Sequence, residues 1–187
     1  ASTSIAYAQT HGAEKMIPAA TIEAATRLAS TLDRATTLLC GEREGKRING
    51  FHLGNSPREF TPENVGGKTL IVTTTNGTET ILRFEAAREI VVCSFVNVSA
   101  VANYLREEPE VHVACAGRAG RFSLEDAVCA GLLVARLREI GGAPIFPDDA
   151  ARAAEILWQA HRGDLLRCLM EASHGRYLVD LGFGEDV

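Results

Sequence analysis

LIVTTTNGTETIL, residues 70–82, starts as an apolar run, passes through three threonines and an Asn-Gly pair, and ends in residues of helical period. The spacing predicts a strand over Thr69–Thr73 that hands over to a helix over Thr78–Ala87. Hydroxyls, a side-chain amide and a flexible glycine gather at that junction. Two readings fit them equally. Asn76 or Thr78 caps the helix while the threonines favour strand. Or the loop amides and the helix dipole form a pocket for phosphate or sulfonate oxygens.

The same alternation runs outward in both directions. Short apolar runs at Lys15–Pro18, Thr37–Cys40, Glu89–Ser94 and Val111–Cys115 read as further strands. Segments of helical period occupy Ser2–Thr10, Ile22–Ser30, Val98–Glu107, Leu124–Ile140, Asp149–His161 and Leu165–Ser173. The strands are apolar throughout rather than alternating, as in sheets covered on both faces by helices. An α/β fold is expected, a three-layer α/β/α sandwich with a mostly parallel sheet, forming one domain over residues 1–187. Such sheets bind ligands at the carboxyl ends of their strands. Gly41–Lys68 interrupts the pattern with six glycines and two prolines, and its Phe51, Leu53 and Phe60 predict an ordered, packed insertion. Ala1–Ala8 reads as helix with no strand before it and the chain stops just after a glycine-rich turn, so both ends are expected to be cut.

Composition excludes several classes. A formal charge of −5 without Lys/Arg clusters is a poor match to a nucleic-acid backbone. No apolar run has the length of a membrane span, and the N-terminus lacks a signal-peptide pattern. Five cysteines in no metal or disulfide spacing predict buried free thiols and a cytoplasmic, reducing environment.

Three more junctions carry chemistry. Cys93-Ser94-Phe95-Val96-Asn97-Val98-Ser99 offers Asn97 or Ser99 as a helix cap and Ser94 at a strand end. In VACAGRAGRFSLED, residues 113–126, the glycines allow tight backbone and Arg118 and Arg121 can meet an anion. Ser123 and Asp126 have the spacing of a capping box. Glu125 and Asp126 suit a hard divalent cation, although first-turn acids also complement the helix dipole, the commoner role for each alone. Cys115 has no histidine partner and is expected to be a packed thiol. In GNSPREF, residues 54–60, a stiff turn exposes Asn55, Ser56 and Arg58. Glu42-Arg43 leaves a strand end and supplies another carboxylate.

The segments CGEREGKRINGFHLGNSPREF, KTLIVTTTNGTETI, VVCSFVNVSAVANYL and VACAGRAGRFSLEDAVCAGLL, in this order and spacing, resemble the 2-phosphosulfolactate phosphatase family, magnesium-dependent enzymes first associated with coenzyme M biosynthesis. The resemblance covers nearly the whole chain. It implies an α/β fold peculiar to that family and hydrolysis of a small anionic phosphomonoester to a 2-hydroxy acid and phosphate, with Mg2+ as cofactor. Carried over residue by residue, Asn55, Ser56, Thr74, Thr75, Asn76, Gly77 and Asn97 face the substrate, and Glu125 and Asp126 are acidic groups at the metal. Arg58, Arg118 or Arg121 is placed to pair with a second anionic group. The family usually begins with a strand ending in Asp-Val-Leu-Arg, ahead of the position matched by Ala1, and His52 stands where an acidic residue is common. A homodimer is among the assemblies the resemblance leaves open. The alternatives are a non-catalytic anion- or nucleotide-binding domain of the same fold, or a structural protein that keeps the fold.

Overall fold

The computed structural model describes all 187 residues. They form two compact units, residues 1–92 with Asp186, and residues 93–185 with Val187.

In the first unit the order is α1 (Ser2–Thr10), β1 (Lys15–Pro18), α2 (Ile22–Ala29), β2 (Thr37–Arg43), β3 (Lys46–Arg47), α3 (Pro62–Val65), β4 (Thr69–Thr73) and α4 (Gly77–Arg83). The sheet order is β1-β4-β2-β3. β4 lies between β1 and β2, parallel to both, with Lys15 opposite Thr69 and Gly41 opposite Thr73. Only the β2–β3 hairpin is antiparallel. Its turn residues Glu44 and Gly45 have φ of 53° and 72°, both left-handed, as a tight two-residue hairpin turn requires.

Successive β4 residues point to opposite faces. Leu70 and Val72 pack with Ala8 of α1, Val65 of α3, Cys40, Leu53 and Phe60. Ile71 packs on the other face with Ala25 of α2, Ala19, Ile48 and Phe51. Helices therefore cover both faces of the parallel sheet, which is why its strands are apolar throughout. This is the expected α/β/α layering. Burial of Phe60, Leu70 and Ile71 contributes about 2 kcal/mol each on transfer grounds.

The glycine-rich segment 41–68 folds back on this sheet. His52 and Leu53 donate to the Leu39 carbonyl, and the Gly41 amide donates to the Leu53 carbonyl at 3.0 Å, so this stretch runs along the far edge of β2. Phe51, Leu53 and Phe60 are the side chains that hold it down.

α4 starts on a reciprocal threonine pair. The Thr74 N–H donates to Thr78 Oγ1 at 3.0 Å, and Thr78 returns its N–H to Thr74 Oγ1 at 3.2 Å and its hydroxyl to the Thr74 carbonyl at 2.9 Å. Asn76 occupies the cap position, yet its side chain makes no cap bond. The cap is Thr74, two residues before Asn76, bonded to Thr78.

The second unit is helical: α5 (Val98–Leu105), α6 (Leu124–Ile140), α7 (Asp149–His161), α8 (Leu165–Glu171) and α9 (Ser173–Asp180). Its core joins Val98, Val101 and Ala102 of α5 to Leu132 and Leu133 of α6, with Trp158 of α7 against them. Ser123, Asp148 and Asp164 cap α6, α7 and α8. α6 and α7 approach closely at Gly131, where a Cβ would stand 2.0 Å from the Ala154 carbonyl oxygen. The stretches at 89–94 and 111–115, expected as strands, have no ladder partner. An apolar run becomes a strand only where a neighbouring strand presents its N–H and C=O groups. Ile90, Val91 and Val113 are correspondingly exposed. No helix is long and apolar enough to cross a membrane.

Gly131→Ala should lower stability by about 2 kcal/mol or more through overpacking, whereas Gly163→Ala, with open space around it, should stay within about 0.5 kcal/mol of the parent. Urea unfolding midpoints distinguish the two, and equal midpoints would refute the close α6–α7 approach.

Thr78→Val keeps the buried volume but strands the Thr74 amide and carbonyl, at a cost of about 2 kcal/mol. Thr80→Val, whose hydroxyl bonds only the Asn76 carbonyl of its own helix turn, is expected to cost less than half as much by the same measurement.

Candidate functional site

The carboxyl ends of β2 and β4 lie side by side because the two strands are parallel and in register from Thr37–Thr69 to Gly41–Thr73. The residues after Gly41 are therefore placed beside the residues after Thr73. Gly41 has to be glycine, since a Cβ there would stand 2.1 Å from the Thr73 carbonyl oxygen.

Glu42 reaches across to the threonine loop. Its carboxylate accepts the Thr75 N–H at 2.8 Å, the Thr75 hydroxyl at 3.2 Å and the Gly45 N–H at 2.9 Å. Arg43 turns the other way along the loop. It donates to the Glu42 carbonyl at 2.7 Å and to the hydroxyl of fully buried Thr73 at 2.9 Å. A cleft of about 530 Å³ opens here, lined by Arg43, Thr74, Thr75, Glu79, Arg83 and two aliphatic neighbours, Ala20 and Leu82. Arg83 and Glu79 form an exposed ion pair one helical turn apart, at 2.6 Å.

The loop amides differ from the sequence expectation in one respect. Those of Thr74, Thr75 and Thr78 already have partners inside the protein, namely Thr78 Oγ1, Glu42 and Thr74 Oγ1. α4 is also short, seven residues. Thr74 and Thr75 line the cleft beside Arg43 and Arg83, with the Thr75 hydroxyl giving its proton to Glu42. Gly77 opens α4, and a Cβ there would stand 2.6 Å from that of Ala1.

Asn55, Ser56 and Arg58 do not line this cleft. The turn that carries them is held by Glu59, which accepts the Gly54 N–H at 2.9 Å, and by Ser4, whose hydroxyl donates to the Asn55 carbonyl at 2.6 Å. Ser56 donates to Asp186 Oδ1 at 2.9 Å. Arg58 sits exposed in a single 3-10 turn, Pro57–Glu59.

In the second unit, Asn97 folds back on its own turn, its Oδ1 accepting the Ser94 N–H at 2.7 Å and the Ser94 hydroxyl at 3.2 Å. Arg118 and Arg121 exchange backbone hydrogen bonds of 3.0 Å around Ala119 and Gly120, which have φ of 50° and 71°. The Arg118 guanidinium lies 4.4 Å over the Tyr177 ring and donates to the Ser173 carbonyl at 2.9 Å. It is anchored on α9, a partner that motif spacing gave no sign of.

Glu125 and Asp126 serve different neighbourhoods. Asp126 accepts the Gly117 N–H at 2.8 Å, and its own N–H donates to the Ser123 cap at 3.3 Å. Burial first, then the Asp126 charge, pushes the Cys115 thiol up. Burial first, then the charges of Glu125 and Glu171, raise the Cys168 thiol of α8. Consecutive helical residues diverge by about 100°, so the two carboxylates do not converge as a chelating pair. No group of three or more His, Cys, Asp or Glu side chains is arranged to hold a metal. Cys115 is exposed rather than packed, and its raised pKa keeps it a thiol rather than a nucleophilic thiolate.

Arg43 is the residue that motif reading passes over. The signal is present in Gly41-Glu42-Arg43, a strand end beside the threonine strand, but only the strand order reveals that the two ends meet.

The sequence profile of the 2-phosphosulpholactate phosphatase family matches residues 1–187. A probable 2-phosphosulfolactate phosphatase of Thermotoga petrophila is 40% identical over 189 residues, covering 100% of this chain and 78% of its own. Proteins of the same description from Gloeobacter violaceus and Caldanaerobacter subterraneus are 42% and 37% identical, again over 100% of this chain and 78% and 77% of theirs. With that match from end to end, and a polar cleft at the carboxyl ends of its parallel strands, the chain belongs to the 2-phosphosulpholactate phosphatase family, a family of phosphoric monoester hydrolases.

Proposed function

We propose that this protein is a magnesium-dependent phosphatase that hydrolyses a small phosphorylated 2-hydroxy acid, 2-phosphosulfolactate or a close analogue, to the hydroxy acid and inorganic phosphate. The observation that carries the reading is the cleft of the first unit, where threonine hydroxyls and guanidinium groups line the carboxyl end of a parallel sheet. The names of the relatives point to the same substrate class.

On this reading Thr74, Thr75, Asn76 and Gly77 of the first unit face the substrate. Hydroxyl and amide donors stabilise the charge that grows on phosphoryl oxygens as the ester bond breaks. Glu125 and Asp126 are the acidic groups assigned to the metal. Magnesium is a hard cation that takes one or two carboxylates and completes its shell with water and substrate oxygens, so one of these carboxylates, not the diverging pair, would hold it. Asp126 keeps one oxygen on the Gly117 amide, which leaves the other for that purpose. When bound, the ion supplies positive charge to the phosphoryl oxygens. The five free thiols agree with a cytoplasmic setting.

The test is phosphate release from 2-phosphosulfolactate and from phospholactate, with and without magnesium. Magnesium-stimulated turnover is expected, and Glu125→Gln or Asp126→Asn should reduce it by about 10-fold or more. Failure to release phosphate from any small phosphomonoester in the presence of magnesium would remove the phosphatase reading and leave a non-catalytic anion binder.

A further inference from the structure

Arg43 stands apart from the other charged groups of the first unit's cleft. Its two hydrogen bonds go to neutral oxygens, the Glu42 carbonyl and the Thr73 hydroxyl, and it makes no ion pair. Arg83, on the same wall, is paired with Glu79, and its side chain is 71% exposed. Two carboxylates flank Arg43 in sequence: Glu42 is itself held by the Thr75 N–H and hydroxyl and the Gly45 N–H, and Glu44 is exposed in the left-handed hairpin turn. Exposed Glu23 of α2 is held below the usual carboxylate range by backbone and Thr21 hydrogen bonds first, and the Arg43 charge is the weakest of its influences. The half-buried guanidinium is thus a cation without a paired counter-ion, set in a concave wall.

Its geometry is also fixed. Thr73 is fully buried, and its hydroxyl ties down one arm of the fork, while the Glu42 carbonyl ties down the other. A guanidinium has five N–H groups, and these two bonds engage two of them. The remaining donors sit on a rigid plane beside the hydroxyls of Thr74 and Thr75. A planar, pre-set fork matches a tetrahedral oxyanion, which accepts two parallel bonds from an arginine and keeps a further oxygen for the Thr74 hydroxyl, whose oxygen accepts from Thr78, whereas the Thr75 hydroxyl gives its proton to Glu42.

We propose that Arg43 is a substrate-binding residue that receives the phosphoryl group in the cleft beside Thr74 and Thr75, with Glu42 acting as a positioning residue that holds the Thr75 amide and hydroxyl. The proposal rests on the reading of the ligand as a small phosphomonoester, and it adds the group that recognises the phosphate. Inorganic phosphate, the reaction product, should bind the same place and needs no turnover to be detected.

The experiment is calorimetric titration of the protein with inorganic phosphate, on the parent, Arg43→Gln and Arg43→Lys, below the unfolding temperature of each. Arg43→Gln should weaken phosphate by about 10- to 100-fold, the range for a charge-assisted hydrogen bond, and should raise KM for the phosphomonoester by a similar factor with a smaller change in kcat. Arg43→Lys restores the charge without the fork and should recover part of the loss. A purely structural role would lower the melting temperature of Arg43→Gln yet leave phosphate affinity in its folded form within about two-fold of the parent, and that result overturns the proposal. An undetectable parent–phosphate complex overturns it too. If Arg43→Gln does not fold, Arg43→Lys decides by the same titration, and parental affinity in that variant overturns it. Phosphate binding that depends on Arg43, found in a protein that turns over no phosphomonoester, would uphold the site and reject the phosphatase reading.

Discussion

Gly41 and Thr73 approach so closely that a Cβ at position 41 would stand 2.1 Å from the Thr73 carbonyl oxygen, and much of the first unit depends on that contact. It closes the parallel register between β2 and β4 and places Glu42 and Arg43 against the threonine loop. Glu42 can then accept from Thr75, and Arg43 can reach Thr73. A side chain at 41 would push the strands apart at the point where every polar contact of the cleft begins. The β2–β3 hairpin, with left-handed Glu44 and Gly45, brings the chain back so that the Gly45 amide completes the Glu42 carboxylate. An ion held by three donors in this way loses little to its partial burial, because each charge-assisted bond returns about 1.5–3 kcal/mol.

The threonine loop shows how a structural role and a binding role can share one sequence. Local hydrogen bonding takes up the amides of Thr74, Thr75 and Thr78, as the internal satisfaction of half-buried backbone requires. The Thr74 hydroxyl keeps its proton for a ligand in the proposed site, and the loop side chains are stiffened by the same bonds. Thr75 is fixed by Glu42 and Thr74 by Thr78. Helix cap and anion wall are therefore successive uses of one set of residues, with the cap setting the positions of the hydroxyls. A pre-set donor needs no reorganisation when charge arrives, which is the physical basis of electrostatic stabilisation in such sites.

Much of the fold was legible because its signals are local. α1, α6 and α7 start and stop where period and caps put them, as do the strands Lys15–Pro18 and Thr69–Thr73. Ser123 caps α6 through the Asp126 N–H, as the spacing announces, while the Asp126 carboxylate goes to Gly117 instead of completing a capping box. The alternation of apolar runs and helices was enough for the α/β layering, since it reports burial on both faces of a sheet. The failures are all tertiary. The stretches at 89–94 and 111–115 carry strand composition but lack partners, and composition cannot reveal a missing neighbour. Arg118 reads in sequence as a cation open to an anion, although it stacks on Tyr177, a residue of a helix far along the chain. Arg43 escapes notice because its importance depends on strand order. Glu125 and Asp126 look like a pair in one dimension and diverge in three, one toward Cys168 and the other toward Gly117.

A common feature of the junctions bears on how the family's chemistry is read. At each one the polar residue nearest the helix start serves its own turn first: Thr74 caps α4, Asn97 closes the turn before α5, and Asp126 clamps the Gly117 loop before α6. Such residues persist in a sequence for folding reasons alone, so their presence is weak evidence of catalysis. Arg43 differs, because nothing in the fold requires a guanidinium where a shorter donor could satisfy the Thr73 hydroxyl. A half-buried cation without a paired counter-ion costs solvation energy that the folded chain does not recover by itself. An anion entering the cleft, as proposed for the phosphoryl group, would recover that cost. This imbalance, more than the polarity of the threonine loop, is what the proposed site rests on.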